Sequence, residues 1–286
     1  MIKTILKLML STIVYTIVFV IANAILPFSP GFRELGASED PTGMLFILLN
    51  AAWICFTIYF IVRHTRISFL NLLFVMFFVQ CFMTQIETLF FTGAFPVLTK
   101  TDVILIMTAG LIPLLAVIPM LLKFFQQKGD AGESAVIVKQ SLKIKSLIPR
   151  LGIIGIIYLF VYMIFGYFVA WQFEELRIFY SGSAEKLGFF GQQLNNIKTS
   201  PVIFPFQIIR GILFAVFILP LMNMADKNKF IISVCLVYLC TAIVLLIPNV
   251  LFPNIVRIAH LIEMSSSMLV FGILVGNILS FKHKAD

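Results

Sequence analysis

The chain has 286 residues, of which 60% are hydrophobic and only 12% are charged, and its mean hydropathy is +1.05. This composition excludes an ordinary soluble domain, in which about a quarter of the residues are charged. The net charge of +8 would suit a nucleic-acid-binding protein, but basic residues in so apolar a chain mostly mark the cytoplasmic side of a membrane. We therefore predict an all-α, polytopic integral membrane helix bundle without a nucleic-acid partner.

Long apolar runs separated by polar breaks predict about eight transmembrane helices. In chain order, the predicted spans are 5–26, 44–62, 69–93, 103–122, 149–171, 203–222, 230–248 and 254–281. The first run also fits a signal peptide, because Ala22-Asn23-Ala24 resembles a cleavage site. We favour a retained first span, since the run is longer than most signal sequences, and cleavage would leave seven spans with every later orientation unchanged.

The distribution of charge predicts the orientation of these spans. With the N-terminus in the cytoplasm, the cytoplasmic segments hold fourteen of the 21 basic residues but only four of the 13 acids. This asymmetry predicts both termini on the cytoplasmic side of a bacterial-type cytoplasmic (inner) membrane. Two four-span halves, 1–123 and 149–286, are joined by a cytoplasmic linker at 124–148, and an outer loop at 172–200 interrupts the second half. We expect the halves to form one membrane domain.

Ionisable residues inside the spans are the best indication of function, because charge in a bilayer is costly without a partner or a task. Span eight contains Arg257, His260 and Glu263 at intervals of three, span three contains Glu87, and span six contains Arg210. In the predicted topology all five lie in the outer half of the membrane. We therefore predict an outward-facing polar pocket, which the outer loop would cover.

The helical pitch indicates which polar side chains share a face, since residues three, four and seven apart lie on one stripe. Two stripes are predicted, formed by Gln80, Thr84 and Glu87 on span three and by His260, Glu263 and Ser267 on span eight. Span six contributes Gln207 three residues before Arg210. We predict His260, Glu263 and Glu87 as catalytic residues, and Arg210, Arg257, Gln207, Thr84 and Ser267 as substrate-binding residues.

Three functions are compatible with this cluster. In an enzyme acting on a lipid-linked or amphiphilic substrate in the outer leaflet, the arginines would bind an anionic head group and His260 or Glu87 would transfer a proton. In a proton-coupled transporter, Glu87, His260 and Glu263 would form a proton relay, and Pro113 and Pro119 could break span four. In a structural or assembly subunit, the same charges would be ion pairs between helices.

The sequence identifies no cofactor. Cys55, Cys81, Cys235 and Cys240 lie within apolar runs, which favours small buried residues over a disulfide or metal site. His260, Glu263 and Glu87 could supply metal ligands, but a second histidine is missing, so we predict no metal. The expected partners are the lipid bilayer and an amphiphilic or anionic small molecule.

Overall fold

The computed structural model describes residues 1–36, 43–90, 95, 97–126, 144–224, 226–248 and 251–280. Throughout these residues the regular structure is helical, with no strand. Seven of the described helices are long and apolar enough to cross a membrane, or eight if a bent pair counts as one span. The prediction of an all-α, multi-spanning membrane helix bundle is therefore confirmed.

The observed helices follow the predicted spans with small shifts at their ends. Five spans are single helices: α1 (Ile2–Ile25), α3 (Gly43–His64), α6 (Lys100–Phe125), α7 (Ile144–Phe168) and α12 (Asn254–Ser280). Three spans change helix type along their length. In the first of these, α4 (Phe69–Met76) continues through a π-helical turn (Phe77–Phe82) into α5 (Met83–Phe90). The other two end in a 3-10 turn, which follows α10 (Ile203–Phe217) at Leu219–Asn223 and α11 (Lys227–Ile243) at Val244–Leu246. The short helices are α2 (Pro30–Gly36), α8 (Glu174–Ser181) and α9 (Phe189–Thr199), with a 3-10 turn at Ala170–Gln172.

Helix α6 is continuous from Lys100 to Phe125, so the expectation that Pro113 and Pro119 break span four is wrong. Its start is fixed by a capping box, in which Thr99 Oγ1 accepts from the Asp102 amide at 3.1 Å and the Asp102 carboxylate accepts from the Thr99 amide at 3.0 Å. Asp102 also accepts from both the amide and the hydroxyl of Ser29 at 2.8 Å. This buried carboxylate therefore ties the connection after α1 to the beginning of α6.

Helix α11 lies inside the bundle and contacts helices from both halves of the chain, namely α12, α3 and the π-helical turn. It meets α12 closely because Gly272 and Gly276 leave no side chain between the helices. A Cβ atom on Gly276 would lie 3.1 Å from Ile231 Cα, and one on Gly272 would lie 3.1 Å from Cys235 Cα. The two glycines thus form a helix contact of the small-residue type common in membranes.

Helices α7 and α10 make a second close contact through Gly155 and Gly211. A Cβ atom on Gly211 would lie 3.0 Å from Gly155 Cα and would overlap Tyr158. The two helix backbones therefore approach each other directly beside Arg210, because Arg210 and Gly211 are consecutive residues. This contact brings the α10 arginine against aromatic side chains of α7.

One end of the bundle, which we call the loop-rich end, carries α2, α8, α9 and the connections before α6 and α12. The opposite end, which we call the basic end, holds nine Lys or Arg and one acid among the described residues: Lys3, Lys7, Arg63, Arg66, Lys123, Lys145, Arg150, Lys227, Lys229 and Asp226. The described residues of the loop-rich half carry seven bases and seven acids. Most of the predicted linker 124–148 lies outside the described residues, as do Lys282 and Lys284.

Candidate functional site

The site at the loop-rich end contains a buried ion pair between α10 and α5. Arg210 Nη1 donates to Glu87 Oε1 at 2.8 Å and to Gln207 Oε1 at 2.9 Å, and Nη2 lies 3.4 Å from the Met83 carbonyl. The Arg210 side chain is 2% exposed, whereas that of Glu87 is 28% exposed. The structure therefore brings Glu87, Arg210 and Gln207 together, as predicted, with the carboxylate as the accessible member.

Aromatic rings surround the Arg210 guanidinium on its other sides. Its central carbon lies 5.6 Å from the centre of the Tyr158 ring, 5.8 Å from Phe206 and 6.0 Å from Phe214. Phe206 also stacks on Phe90, one turn after Glu87, with ring centres 4.1 Å apart. These rings exclude water from the cation and hold α5 against α10, so the geometry fixes where the Glu87 carboxylate points.

The π-helical turn changes the face on which the residues of span three lie. Gln80, within that turn, donates to the hydroxyl of Tyr15 on α1 at 3.3 Å, whereas Glu87 pairs with α10. Thr84 Oγ1 donates to carbonyls of its own helix, those of Gln80 and Cys81, at 2.9 Å. The stripe predicted for Gln80, Thr84 and Glu87 therefore does not form one polar surface, because a π turn holds more residues than an α turn and alters the angular register.

A second hydrogen-bonded group is centred on His260 of α12. The imidazole Nε2 lies 3.0 Å from the Tyr180 hydroxyl, and Nδ1 lies 3.4 Å from Glu263 Oε2. The His260 side chain is 21% exposed and that of Glu263 is 11% exposed. The predicted pairing of His260 with Glu263 is thus present, and Tyr180 completes a row of three protonatable groups.

The Tyr180 hydroxyl stays in its protonated form at one end of this row. Burial raises the pKa of the Tyr180 hydroxyl above its ordinary value, and the charges of Glu87 and Glu263 raise it further. The protonated Tyr180 hydroxyl can donate to His260 Nε2 or accept from it, depending on the imidazole tautomer. In either case the imidazole is held between a phenol and a carboxylate, with Nδ1 facing Glu263.

Tyr180 is not among the predicted site residues, although it lies in the segment 172–200, which we predict to cover the site. Arg177, which is 7% exposed, holds this loop by donating to the carbonyls of Ala184 and Trp171 at 2.9 Å. An aromatic group, Phe95, Phe179 and Phe252, packs beside it, and Phe252 lies 5.7 Å from the His260 ring. A tyrosine eighty residues from its histidine has no local sequence signal, so only the fold reveals the contact.

Arg257 is engaged elsewhere. Its Nη1 donates to the carbonyls of Leu245 and Leu246 at 2.8 Å, and its Nη2 donates to Asn254 Oδ1 at 3.3 Å. These carbonyls end the helical segment of span seven, where a cation satisfies free acceptors and opposes the negative end of the helix dipole. Arg257 therefore joins α12 to the end of the preceding span.

Ser267 is buried, at 3% exposure, and donates within its own helix to the Met264 carbonyl at 3.3 Å. Like Thr84, it has its hydrogen bond satisfied locally. Of the predicted substrate-binding residues, Gln207 and Arg210 thus lie beside Glu87, while the hydroxyl hydrogen bonds of Thr84 and Ser267 stay within their own helices. The described residues contain no group of three or more His, Cys, Asp or Glu side chains arranged to hold a metal ion.

Tyr158 and Tyr162 of α7 lie between the two halves of the site. Each interacts electrostatically with Glu87, Arg210 and Glu263, and Tyr162 also contacts Gln207. The Nε2 atom of Gln207 nevertheless has no hydrogen-bond partner among the described residues. The tyrosines therefore connect the ion pair and the histidine group into one polar cluster, which we call the loop-end cluster: Glu87, Tyr158, Tyr162, Tyr180, Gln207, Arg210, His260 and Glu263.

Helix α9 is bent by 98° from α10 and packs through Phe189 on Tyr167 and Phe168 at the end of α7. Phe190, Leu194 and Ile197 share one face and are 80%, 58% and 49% exposed, while Gln192, Asn195 and Asn196 occupy the other side. Such an amphipathic helix, perpendicular to a spanning helix, is suited to the membrane interface. Its apolar face would then contact lipid at the loop-rich end.

Comparison with known proteins provided no relative: no family model, no curated protein and no solved structure matches this chain. The apolar helices and their length nevertheless establish the class of the molecule. It is a multi-spanning membrane protein of a lipid bilayer, with a cluster of ionisable and phenolic side chains near one end of its helix bundle.

Proposed function

We propose that the protein is a membrane enzyme that transfers a proton during a reaction of an anionic or lipid-linked amphiphile at the loop-rich end. The observation that carries this proposal is the position of His260 between the Tyr180 hydroxyl and the Glu263 carboxylate, at 3.0 and 3.4 Å. A carboxylate on Nδ1 orients the imidazole and stabilises its charged form, which makes Nε2 a general base. A purely structural hydrogen bond between helices needs no such row.

In this mechanism the substrate hydroxyl or a water molecule replaces Tyr180 at His260 Nε2. The attacking oxygen gives its proton to Nε2 while it forms a bond to the acyl or phosphoryl centre of the substrate. The bond to the leaving oxygen then breaks, and that oxygen receives the proton from the imidazolium. Glu87, which is 28% exposed, faces the same cluster and would serve as the second acid or base, held in place by Arg210.

Arg210 and Arg257 have a different role here from the head-group binding that the sequence suggests. The Nη atoms of both side chains already donate to protein acceptors, so binding an anion there would first require breaking these bonds. Helix α9 supports an amphiphilic substrate, because an amphipathic helix at the same end of the bundle suits entry from within the leaflet. Small molecules from the aqueous phase would instead enter past Phe179 and Phe252.

We further propose that the basic end faces the cytoplasm, in the inner membrane of a bacterium, so that the site opens to the outer leaflet. Nine basic residues and one acid at that end follow the positive-inside rule. A reporter fused after Ser280 tests this orientation, since alkaline phosphatase should be inactive there and a fluorescent protein should be active. Phosphatase activity at that position would contradict the orientation.

Lipid analysis tests the enzyme proposal. Nanodiscs containing wild-type protein and a bacterial polar lipid extract should change the composition of the anionic lipid fraction over time, as measured by mass spectrometry. His260→Ala and Glu263→Gln should abolish this change, while His64→Ala, a histidine near the opposite end of the bundle, should not. If wild-type and His260→Ala samples give the same lipid composition with anionic lipids and added lipid-linked diphosphates, the enzyme proposal fails.

A proton-coupled transporter is the second candidate, favoured by one observation. Tyr180 interacts electrostatically with Glu87 as well as with Glu263, so the protonatable groups extend across the cluster towards α5. Proteoliposomes carrying a pH gradient distinguish the two functions. Solute-dependent collapse of the gradient that is lost in Glu87→Gln, without any chemical change in lipid or solute, would support transport.

A further inference from the structure

The basic end contains a cleft that the proposed reaction does not use. The cleft has a volume of about 330 Å³ and lies between the first two turns of α1, the last turns of α3 and the end of α6. Its polar lining comes from Lys3, Thr4, Lys7, Tyr59, Arg63 and Gln126, with Phe124 and Phe125 at one wall. Two of these helices, α1 and α3, thus direct three cations to one space, and the end of α6 closes it.

No acid among the described residues neutralises these cations. In this part of the chain no carboxylate lines the cleft, and neither Lys3, Lys7 nor Arg63 forms a salt bridge. The one acid of α6, Asp102, lies at the opposite end of that helix, about 30 Å away at 1.5 Å per residue. Like charges this close repel each other, so an anion in the cleft would relieve a repulsion that the fold itself leaves in place.

Lys7 shows how the cleft is shaped. Its Nζ lies 3.4 Å from the Phe124 carbonyl and 5.1 and 5.6 Å from the centres of the Phe124 and Phe125 rings. The ammonium group is therefore held on a fixed wall formed by the end of α6. An ammonium has three donors, and the carbonyl occupies one of them, so the remaining donors are free for a ligand.

The position of the cleft along the helices indicates the kind of anion. Lys3 lies one residue inside α1, Arg63 lies one residue before the end of α3, and Gln126 directly follows α6. Spanning helices end at the level of the lipid head groups, where the phosphates are located. Clusters of Lys and Arg between helices at this level suit anionic head groups, and the arginine fork matches two phosphate oxygens.

We propose that this cleft binds a phosphate group, that of an anionic phospholipid in the adjacent leaflet, through Lys3, Lys7 and Arg63. Tyr59 and Gln126 supply further polar contacts at the rim. The bound lipid would join α1 to α3 and α6 at the end where few other polar contacts link these helices. This role is independent of the chemistry at the loop-end cluster.

Native mass spectrometry of the detergent-purified protein tests the proposal with phosphatidylglycerol and phosphatidylcholine as probes. The wild type should retain phosphatidylglycerol preferentially, and Lys3→Gln with Arg63→Gln should weaken its binding by about 25-fold, at roughly fivefold for each cation removed. The matched control replaces Arg66 and Lys123, two exposed cations at the same end that do not line the cleft. This control should change binding less than twofold.

A competition experiment distinguishes binding of a lipid from binding of free phosphate. Inorganic phosphate at millimolar concentration should not displace the lipid if the head group is the ligand. If inorganic phosphate displaces the lipid, and this displacement depends on Lys3 and Arg63, the ligand of the cleft is free phosphate. Lys3→Arg with Arg63→Lys, which keeps the charge, should restore binding and guards against misfolding of the glutamine variant. Equal retention of both lipids by the wild type, or equal loss in the control, would overturn the proposal.

Discussion

The ion pair between Arg210 and Glu87 offers the sharpest test of how the loop-end cluster is built. Glu87→Gln keeps the shape of the side chain but removes the charge that faces Arg210, whose side chain is 2% exposed. Breaking a buried ion pair from one side costs about 3–5 kcal/mol, because the remaining charge is left without water or partner. Since Glu87 is 28% exposed, water can reach the site, and we expect the lower end, about 3 kcal/mol.

The opposite variant should behave differently. Arg210→Met leaves the carboxylate, which water can hydrate, so the loss should be smaller than that of Glu87→Gln. The double variant removes both charges and should recover part of the loss, giving a coupling free energy of about 1–3 kcal/mol in the double-mutant cycle. The burial of the two partners, 2% against 28%, therefore predicts an asymmetric cycle.

The assay is thermal unfolding in detergent, followed by the folded fraction in size-exclusion chromatography. At about 2–4 °C for each kcal/mol, Glu87→Gln should lower the Tm by about 6–12 °C. Glu185→Gln, on an exposed loop residue, is the matched control and should leave the Tm unchanged. Additive effects of the two single substitutions, or a Glu87→Gln variant as stable as the wild type, would refute the assignment of this pair as a coupled buried contact.

Three further predictions concern neighbouring contacts. Arg257→Gln should reduce stability by about 1.5–3 kcal/mol, since it removes charged hydrogen bonds to two carbonyls, and an unchanged Tm would contradict that role. Gly276→Leu should abolish the yield of folded protein by separating α11 from α12. The control Gly152→Leu should fold, because a Cβ atom there meets nothing within 4 Å, and equal yields of the two variants would exclude the close contact. Tyr180→Phe should free His260 Nε2 and raise its rate of modification by diethyl pyrocarbonate several-fold, with His64 as the internal reference; an unchanged rate would mean that Tyr180 does not occupy Nε2.

The spans could be predicted from sequence because each is a long run of apolar residues, which is a local property. The pairing of His260 with Glu263 was also accessible, since three residues on one helix fix the geometry. The partner of Arg210 was harder, because two acids and two arginines allow several pairings. Only the packing of α5 against α10 selects Glu87 for Arg210, while Arg257 turns to backbone carbonyls that carry no sequence signal.

The role of Tyr180 shows a second limit. The sequence predicts the segment 172–200 as a loop that covers the site. Its exact contact depends on Arg177, which bends the segment by binding the Trp171 and Ala184 carbonyls and so brings Tyr180 to α12. Hydrogen bonds from a side chain to loop carbonyls six or seven residues away follow from the three-dimensional path of the chain, and helical periodicity does not predict them.

The π-helical turn at Phe77–Phe82 rotates the residues that follow it about the helix axis, relative to the residues that precede it. A residue within the turn and a residue after it can therefore satisfy different neighbours, α1 through Gln80 and α10 through Glu87, within one continuous helix. A π turn is equivalent to one residue inserted into an α-helix. Deleting a single residue there would keep the span hydrophobic and helical, yet it would turn Glu87 by about 100° away from Arg210. The placement of the Glu87 carboxylate thus depends on the number of residues in the π-helical turn, as well as on the residues that contact it.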